Sequence, residues 1–384
     1  MLELFKRNTP LKCKRCGAIS KNLSSDGICE NCLSELKTCA STVATNISKQ
    51  LKNTYNDMHT KRQEERDTAT KEHDKYTAEV VTTDFHHYKP TDKPLSLLEI
   101  LFLWYINGHS VKNPNIAFYW TSEYHIGSFK DVICSLINMK YLTLSDYKFN
   151  MTKCKLTELK VVLQRYNLPI SGNKPDLIKR LTDSVSAEQL AEAFNNSYFQ
   201  ITEKGNSIIS KYEHIIYYHQ YRNTLDPRLN LHSVDSLYKE TTRKSVEEFF
   251  IDYHTTAMYD YWNTQKYGAA RNALLSIAEI YFRLPQYEQA LAKFLSISYL
   301  DMTGLDNCTA YRTSIDEIDI DLLQFAPGII SYIVICLRNL DATVQDLPEA
   351  FNLAVANIDV PSSVYSKQEV LCMLTEAIVA TWET

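Results

Sequence analysis

The stretch Leu156–Leu181, LTELKVVLQRYNLPISGNKPDLIKRL, decides how this chain is read. Leu156, Leu159, Val162 and Leu163 recur at helical spacing on one face, and Leu177, Ile178 and Leu181 form a second such face. Leu168-Pro169-Ile170-Ser171-Gly172 breaks the periodicity between them, with Gly172 suited to a left-handed turn position. The spacing predicts two short amphipathic helices joined by a tight turn. From Met151 to Leu181, Lys153, Lys155, Lys160, Arg165, Lys174, Lys179 and Arg180 outnumber Glu158 and Asp176, a balance of +5. Two helices of this size bury too little to be kept for their own core. The alternative is an ordinary basic helical hairpin on a larger domain.

The same stretch closely resembles the SAP motif, the helix–turn–helix module of scaffold-attachment DNA-binding proteins. The matching positions are Leu156, Leu159, Lys160, Leu163, Leu168, Pro169, Ser171, Gly172, Lys174, Leu177, Ile178, Arg180 and Leu181. The family pattern has Gly one residue before the Leu-Pro pair. Here that place is Asn167, which also tolerates the left-handed conformation. The resemblance implies binding to duplex DNA, often AT-rich, mainly through backbone phosphates and the minor groove. The expectation is that Lys160, Lys174, Lys179 and Arg180 are phosphate contacts, with Gly172 shaping the turn. Contacts of that kind supply position and affinity rather than sequence choice.

Working outward, 384 residues suffice for about two to four domains. Only 9 Gly and 11 Pro argue against a turn-rich all-β fold and favour a mainly α, multi-domain chain. No apolar run is long enough to span a membrane. The N-terminal MLELFKRNTPLKCKRCG has no apolar signal core, so the expectation is a cytoplasmic protein. The net charge of −5 conceals a division: residues 231–384 balance at −11 and residues 1–230 at +6. The basic part suits a polyanion, and the acidic part is suited to self-association or a protein partner.

Within residues 1–40, Cys13-Lys-Arg-Cys16 and Cys29-Glu-Asn-Cys32 form two C-x2-C knuckles. This spacing predicts a tetrahedral four-cysteine structural Zn2+ site on which so small a module depends for folding. It resembles zinc-ribbon or treble-clef knuckles, with Gly17 and Gly27 where the backbone turns. Disulfides are the competing reading, disfavoured without a signal peptide. Lys6, Arg7, Lys12, Lys14, Arg15 and Lys21 make the module basic. Residues 41–94 read as a charged helix or tether, with His59, His73, His86 and His87 expected to be solvent-exposed.

Residues 95–150 read as three helices followed by a strand, and 196–230 as a strand followed by a capped helix. Phe199, Thr202, Lys204 and Gly205 fit an F-x-x-T-x-K-G step that resembles the end of a wing in winged-helix regulators. One expectation is a winged-helix-like unit with the SAP-like motif of 151–195 inserted between wing strands at Tyr141–Ser145 and Tyr198–Thr202. A helical domain with a short hairpin gives the same order of elements. Tyr212, Tyr217, Tyr218 and Tyr221 beside His214, His219 and Arg222 fit helix packing better than base stacking. Residues 231–384 read as an acidic α-helical domain. Within it, Leu274, Ile277, Ala278, Tyr281, Ala290 and Phe294 resemble a single tetratricopeptide-like helix pair. The Asp316–Asp321 acids read as a solvated loop.

No Walker, dinucleotide, zinc-protease or nucleophile-elbow signature is present. The expectation is therefore a non-enzymatic double-stranded DNA-binding protein. A protein-interaction adaptor with structural zinc, and a metal-dependent nuclease or nuclease subunit, are the alternatives. The whole layout loosely resembles SAP-domain proteins of Gram-positive bacteria and their phages, which implies an accessory role in a phage or mobile element.

Overall fold

The computed structural model describes residues 11–12, 14–16, 18–20, 28–32, 34, 60–80, 94–241, 245–305 and 323–382. The protein is mainly helical with little strand. It divides into two compact units, residues 1–83 with 114–130, and residues 84–113 with 131–384. Among the described residues no single helix is long and apolar enough to cross a membrane. Cys13, Gly17, Gly27, His59, His86, His87 and the Asp316–Asp321 run lie outside the described residues.

In the first unit, β1 (Leu11–Lys12) pairs antiparallel with β2 (Ile19–Ser20). Helix α1 covers residues 60–80, and residues 60–68 of it are exposed on every side. Its second half carries a stripe of covered residues, Ala69, His73, Tyr76, Thr77 and Val80, at helical spacing. His73 corrects the expectation of an exposed ring. Its Nε2 lies 3.0 Å from the Ile116 carbonyl, its Nδ1 lies 2.9 Å from Thr121 Oγ1, and Phe118 and Phe129 meet it edge-on. A carbonyl only accepts, so Nε2 carries the proton and Nδ1 accepts from the hydroxyl. Helix α3 (Tyr119–Ser122) places Trp120 in the core of this unit.

The second unit begins with α2 (Leu97–Ile106), capped reciprocally by Ser96 and Glu99. After α4 (Phe129–Asn138) the chain runs through β3 (Leu142–Leu144), α5 (Tyr147–Lys153), α6 (Leu156–Arg165), α7 (Lys174–Ser184), α8 (Ala187–Ala193), β4 (Phe199–Ile201), α9 (Glu203–Lys211) and α10 (Glu213–Tyr221). The two candidate wing strands pair: Leu142, Thr143 and Leu144 oppose Ile201, Gln200 and Phe199. On its other edge β4 meets residues 108–111, through Gly108 N–H to the Phe199 carbonyl at 2.7 Å and Phe199 N–H to the His109 carbonyl at 2.9 Å. Helices α5 to α8 leave and re-enter at the open end of this ladder.

That exit and return are joined by a short relay. Tyr198 N–H donates to Ser145 Oγ at 2.8 Å, Ser145 donates to Asn150 Oδ1 at 2.5 Å, and Asn150 Nδ2 donates to the Phe194 carbonyl at 2.8 Å. At the closed end, Thr202 Oγ1 donates to the Lys140 carbonyl and accepts from Gly205 N–H, capping α9. Lys204 donates to the Met139 carbonyl and lies over the Tyr141 ring. An added methyl at Gly205 would collide with the Tyr141 carbonyl oxygen and the Ile201 side chain. The F-x-x-T-x-K-G step is therefore a lock on the turn between α4 and β3.

The remaining helices are α11 (Leu231–Lys239), α12 (Val246–Asn263), α13 (Tyr267–Arg283), α14 (Tyr287–Met302), α15 (Pro327–Asn339), α16 (Leu347–Val355) and α17 (Lys367–Trp382). Leu274, Ala278, Ala290 and Phe294 are buried in one cluster where α13 and α14 meet, Ile277 is buried as well, and a break of three residues joins the two helices. The tyrosine–histidine cluster is packed rather than presented for stacking. Tyr217 stacks on Phe250, His214 stacks on Tyr238 and bonds Asp235, and the Arg283 guanidinium covers Tyr221.

Two predictions follow from this packing. Gly205→Ala should destabilise the protein by about 1–3 kcal/mol in denaturant unfolding, because the methyl displaces backbone rather than a side-chain tip. Burial also holds His254 and His219 down to about 4, Arg222 adding to the effect at His219. Neutral rings are favoured in the fold, so their contribution is intact above pH ~6.5 and is lost as pH falls from there towards 4. The thermal midpoint should decline across that window, and His254→Leu should flatten the decline.

Candidate nucleic-acid interface

Helices α6 and α7 carry a small core of their own. Met151, Leu159, Val162, Leu163, Leu177, Leu181, Val185, Leu190 and Phe194 are buried together, with Leu168 and Ile178 packed partly against them. Leu156, placed on the core face by its spacing, is instead 39% exposed at the first turn of α6. Met151 from α5, and Leu190 and Phe194 from the α8 end, were not assigned to this core by sequence. The i, i+4 spacing of Leu190 and Phe194 was the available signal.

The ends of α6 and α7 explain why the turn is fixed. Lys155 N–H donates to the Glu158 carboxylate at the start of α6. At its C-terminus Asn167 has φ +54°, Leu168 N–H reaches the Leu163 carbonyl at 2.9 Å and Asn167 N–H reaches the Gln164 carbonyl at 3.0 Å. That is a Schellman termination, with Asn167 in the left-handed position that the family gives to Gly. Gly172 has φ +123°, where side chains are strained, and an added Cβ would press on Asp176 at 3.2 Å. Asn173 then caps α7 by accepting from Asp176 N–H at 3.0 Å, and Pro175 occupies the first turn.

The candidate phosphate contacts divide into two kinds. Among the described residues the ammonium groups of Lys160 and Lys179 have no hydrogen-bond or ion-pair partner, Lys179 being exposed and Lys160 half-buried. Lys174 Nζ donates to the Thr152 carbonyl at 2.7 Å, tying the start of α7 to the end of α5. Arg180 Nη1 donates to the carbonyls of Pro169 and Ser171, 3.0 Å for the latter. Three large apolar side chains lie exposed among these cations: Leu156, Val161 and Ile170.

The cysteine site is a separate matter in the first unit. Cys16, Cys29 and Cys32 bring their sulfurs within 4.8 Å of one another, with Cys16 and Cys29 at 3.7 Å. A tetrahedral zinc with thiolates at 2.3 Å spaces its sulfurs at about 3.8 Å, whereas a disulfide needs about 2.05 Å. Three thiols here can hold a metal ion, and Arg15 steadies the second knuckle by donating to the Cys32 carbonyl at 3.0 Å.

Residues 150–185 match the family model of the SAP domain. The chain therefore carries a SAP domain, which points to DNA binding in general. No curated protein and no solved structure matches the chain.

The Schellman geometry predicts opposite outcomes at one position. Asn167→Ala should cost about 1 kcal/mol, while Asn167→Gly should be neutral or better, because only the alanine Cβ opposes the left-handed backbone. Thermal unfolding of the two variants measures the difference.

Proposed function

We propose that this protein is a non-enzymatic double-stranded DNA-binding protein that grips the phosphate backbone through its SAP domain. The observation that carries this reading is the coincidence, within residues 150–185, of the family match with a surface on which Lys160 and Lys179 are unpartnered. The host is a winged-helix-like unit with the SAP domain in place of its wing tip. The pairing of β3 with β4, and of β4 with residues 108–111 on its other edge, supports that reading. Cys13, Cys16, Cys29 and Cys32 hold one structural Zn2+, supported by the sulfur spacing of the three described thiols.

The acidic residues 231–384 serve self-association or recruitment of another protein. A concavity of about 450 Å³ lined by Met258, Tyr259, Trp262, Leu274, Leu300 and Lys293 supports a binding role there. An AT-rich duplex as preferred target, a cytoplasmic location and an accessory role in a phage or mobile element complete the proposal.

Fluorescence anisotropy with AT-rich and GC-rich duplexes across a salt series tests the central claim. Lys160→Ala and Lys179→Ala should each weaken both duplexes alike and lower the salt slope by about one. No binding of either duplex at low salt would end the DNA reading. For the metal, native mass spectrometry should show one bound zinc that Cys29→Ser abolishes, and chelation should unfold the module without changing the far larger helical signal.

A further inference from the structure

On the DNA-binding reading just given, we infer that the Leu168–Gly172 turn is a rigid reading tip, in which Arg180 is a positioning residue and Ile170 the contact it presents. Arg180 is one of the cations expected from the sequence to meet phosphate. In the structure its Nη1 is turned onto the carbonyls of Pro169 and Ser171, the two residues flanking Ile170. A single nitrogen that holds the carbonyls of the residues on both sides of Ile170 restrains the backbone that presents it. Ile170 is 38% exposed, although it is a large aliphatic side chain within a few residues of a core with space for Leu168 and Ile178.

The backbone on either side of Ile170 is constrained further. Pro169 fixes its own φ, Asn167 closes α6 in the left-handed region, and Gly172 at φ +123° leads into the Asn173–Asp176 cap of α7. The tip is thus held from both helices: the Schellman end of α6 on one side and an α7 arginine on the other. Such pre-ordering means that little entropy is lost when the tip is bound. An apolar side chain held at the turn of a domain that also carries Lys160, Lys174 and Lys179 suits the floor of a DNA minor groove or an unstacked base step, where apolar wedges from architectural proteins insert. The lysines then meet the phosphates that line the groove. A structural role alone does not account for the exposure of Ile170, since an isoleucine turned to solvent adds nothing to the core.

The test compares full-length Ile170→Ser, Arg180→Lys and Lys160→Ala in the anisotropy salt series, with thermal unfolding of each. Ile170→Ser should lose about tenfold in affinity at every salt concentration, with unchanged salt slope and unchanged unfolding midpoint. Arg180→Lys keeps the charge but is too short to span both carbonyls. It should also lose affinity at unchanged slope, with a slightly lower midpoint. Lys160→Ala should lower the slope by about one. Wild-type affinity in Ile170→Ser would show that the tip does not touch DNA. Full binding by Arg180→Lys, joined with a slope lowered by one in Arg180→Gln, would make Arg180 a phosphate contact and overturn the positioning role. Absence of binding by the wild type is a different result, since it removes the DNA reading itself.

Discussion

A helical module can interrupt a two-stranded ladder only if its ends return to within hydrogen-bonding distance of each other. In this protein one amide side chain meets that constraint. Asn150 is almost fully buried, and its oxygen and nitrogen are both used, one on Ser145 at the exit from β3 and the other on the Phe194 carbonyl at the end of the insert. Ser145 in turn accepts from Tyr198 N–H just before β4. A buried polar relay of this kind stabilises little when complete and costs much when one member is removed. Its effect is on geometry: the SAP domain is held by the ladder and by Met151 and Phe194 in its own core, with no free linker at either end.

The elements readable from sequence are those whose causes are local. Periodicity places α6 and α7. The left-handed tolerance of Asn167 and Gly172 places the turn, and both residues do have positive φ. The alternation at Leu142–Leu144 and Phe199–Ile201 shows two strands, and their pairing across the insert was an inference from order alone. What sequence could not show is the partner of each polar side chain. Lys174 and Arg180 carry the same label as Lys160 and Lys179 in any motif, yet the first two bond backbone carbonyls and the last two do not. His73 was misjudged for the same reason. Its helix is polar overall, and only the return of residues 114–121 supplies the carbonyl and hydroxyl that bind the ring. Leu156 fails in the opposite direction, since the first turn of a helix can satisfy the period and still lie beyond the edge of the core.

The division of charge has a physical counterpart in how each half treats its ions. In the acidic half several ions are neutralised internally. At the boundary just before it, Asp226, held below the usual carboxylate range by Arg228 and Tyr261 against the opposing effect of burial, takes both guanidinium and phenol donors. Arg271 and Asp301 form a two-pronged pair, 14% and 11% exposed. Such pairs specify helix register more than they stabilise it. In the SAP domain no Lys or Arg forms an ion pair among the described residues, and the ammonium groups of Lys160 and Lys179 have no hydrogen-bond partner there either, an arrangement that brings no benefit to a domain with so small a core and that raises its self-repulsion.

Those two lysines also limit what the domain can do alone. A protein that neutralises only a few phosphates binds duplex DNA without sequence choice at roughly 10⁻⁴–10⁻⁶ M in physiological salt. Tighter binding then has two sources. One is apolar contact, which is insensitive to salt and which a rigid Ile170 can supply from the turn. The other is multiplicity: on the proposed self-association, an acidic domain joining copies of the chain would raise the effective concentration of each SAP domain at the duplex without adding one contact to it. The separation of basic and acidic halves is then a requirement rather than an accident. A domain that self-associates beside DNA must not compete for the phosphates that its partner domain is holding.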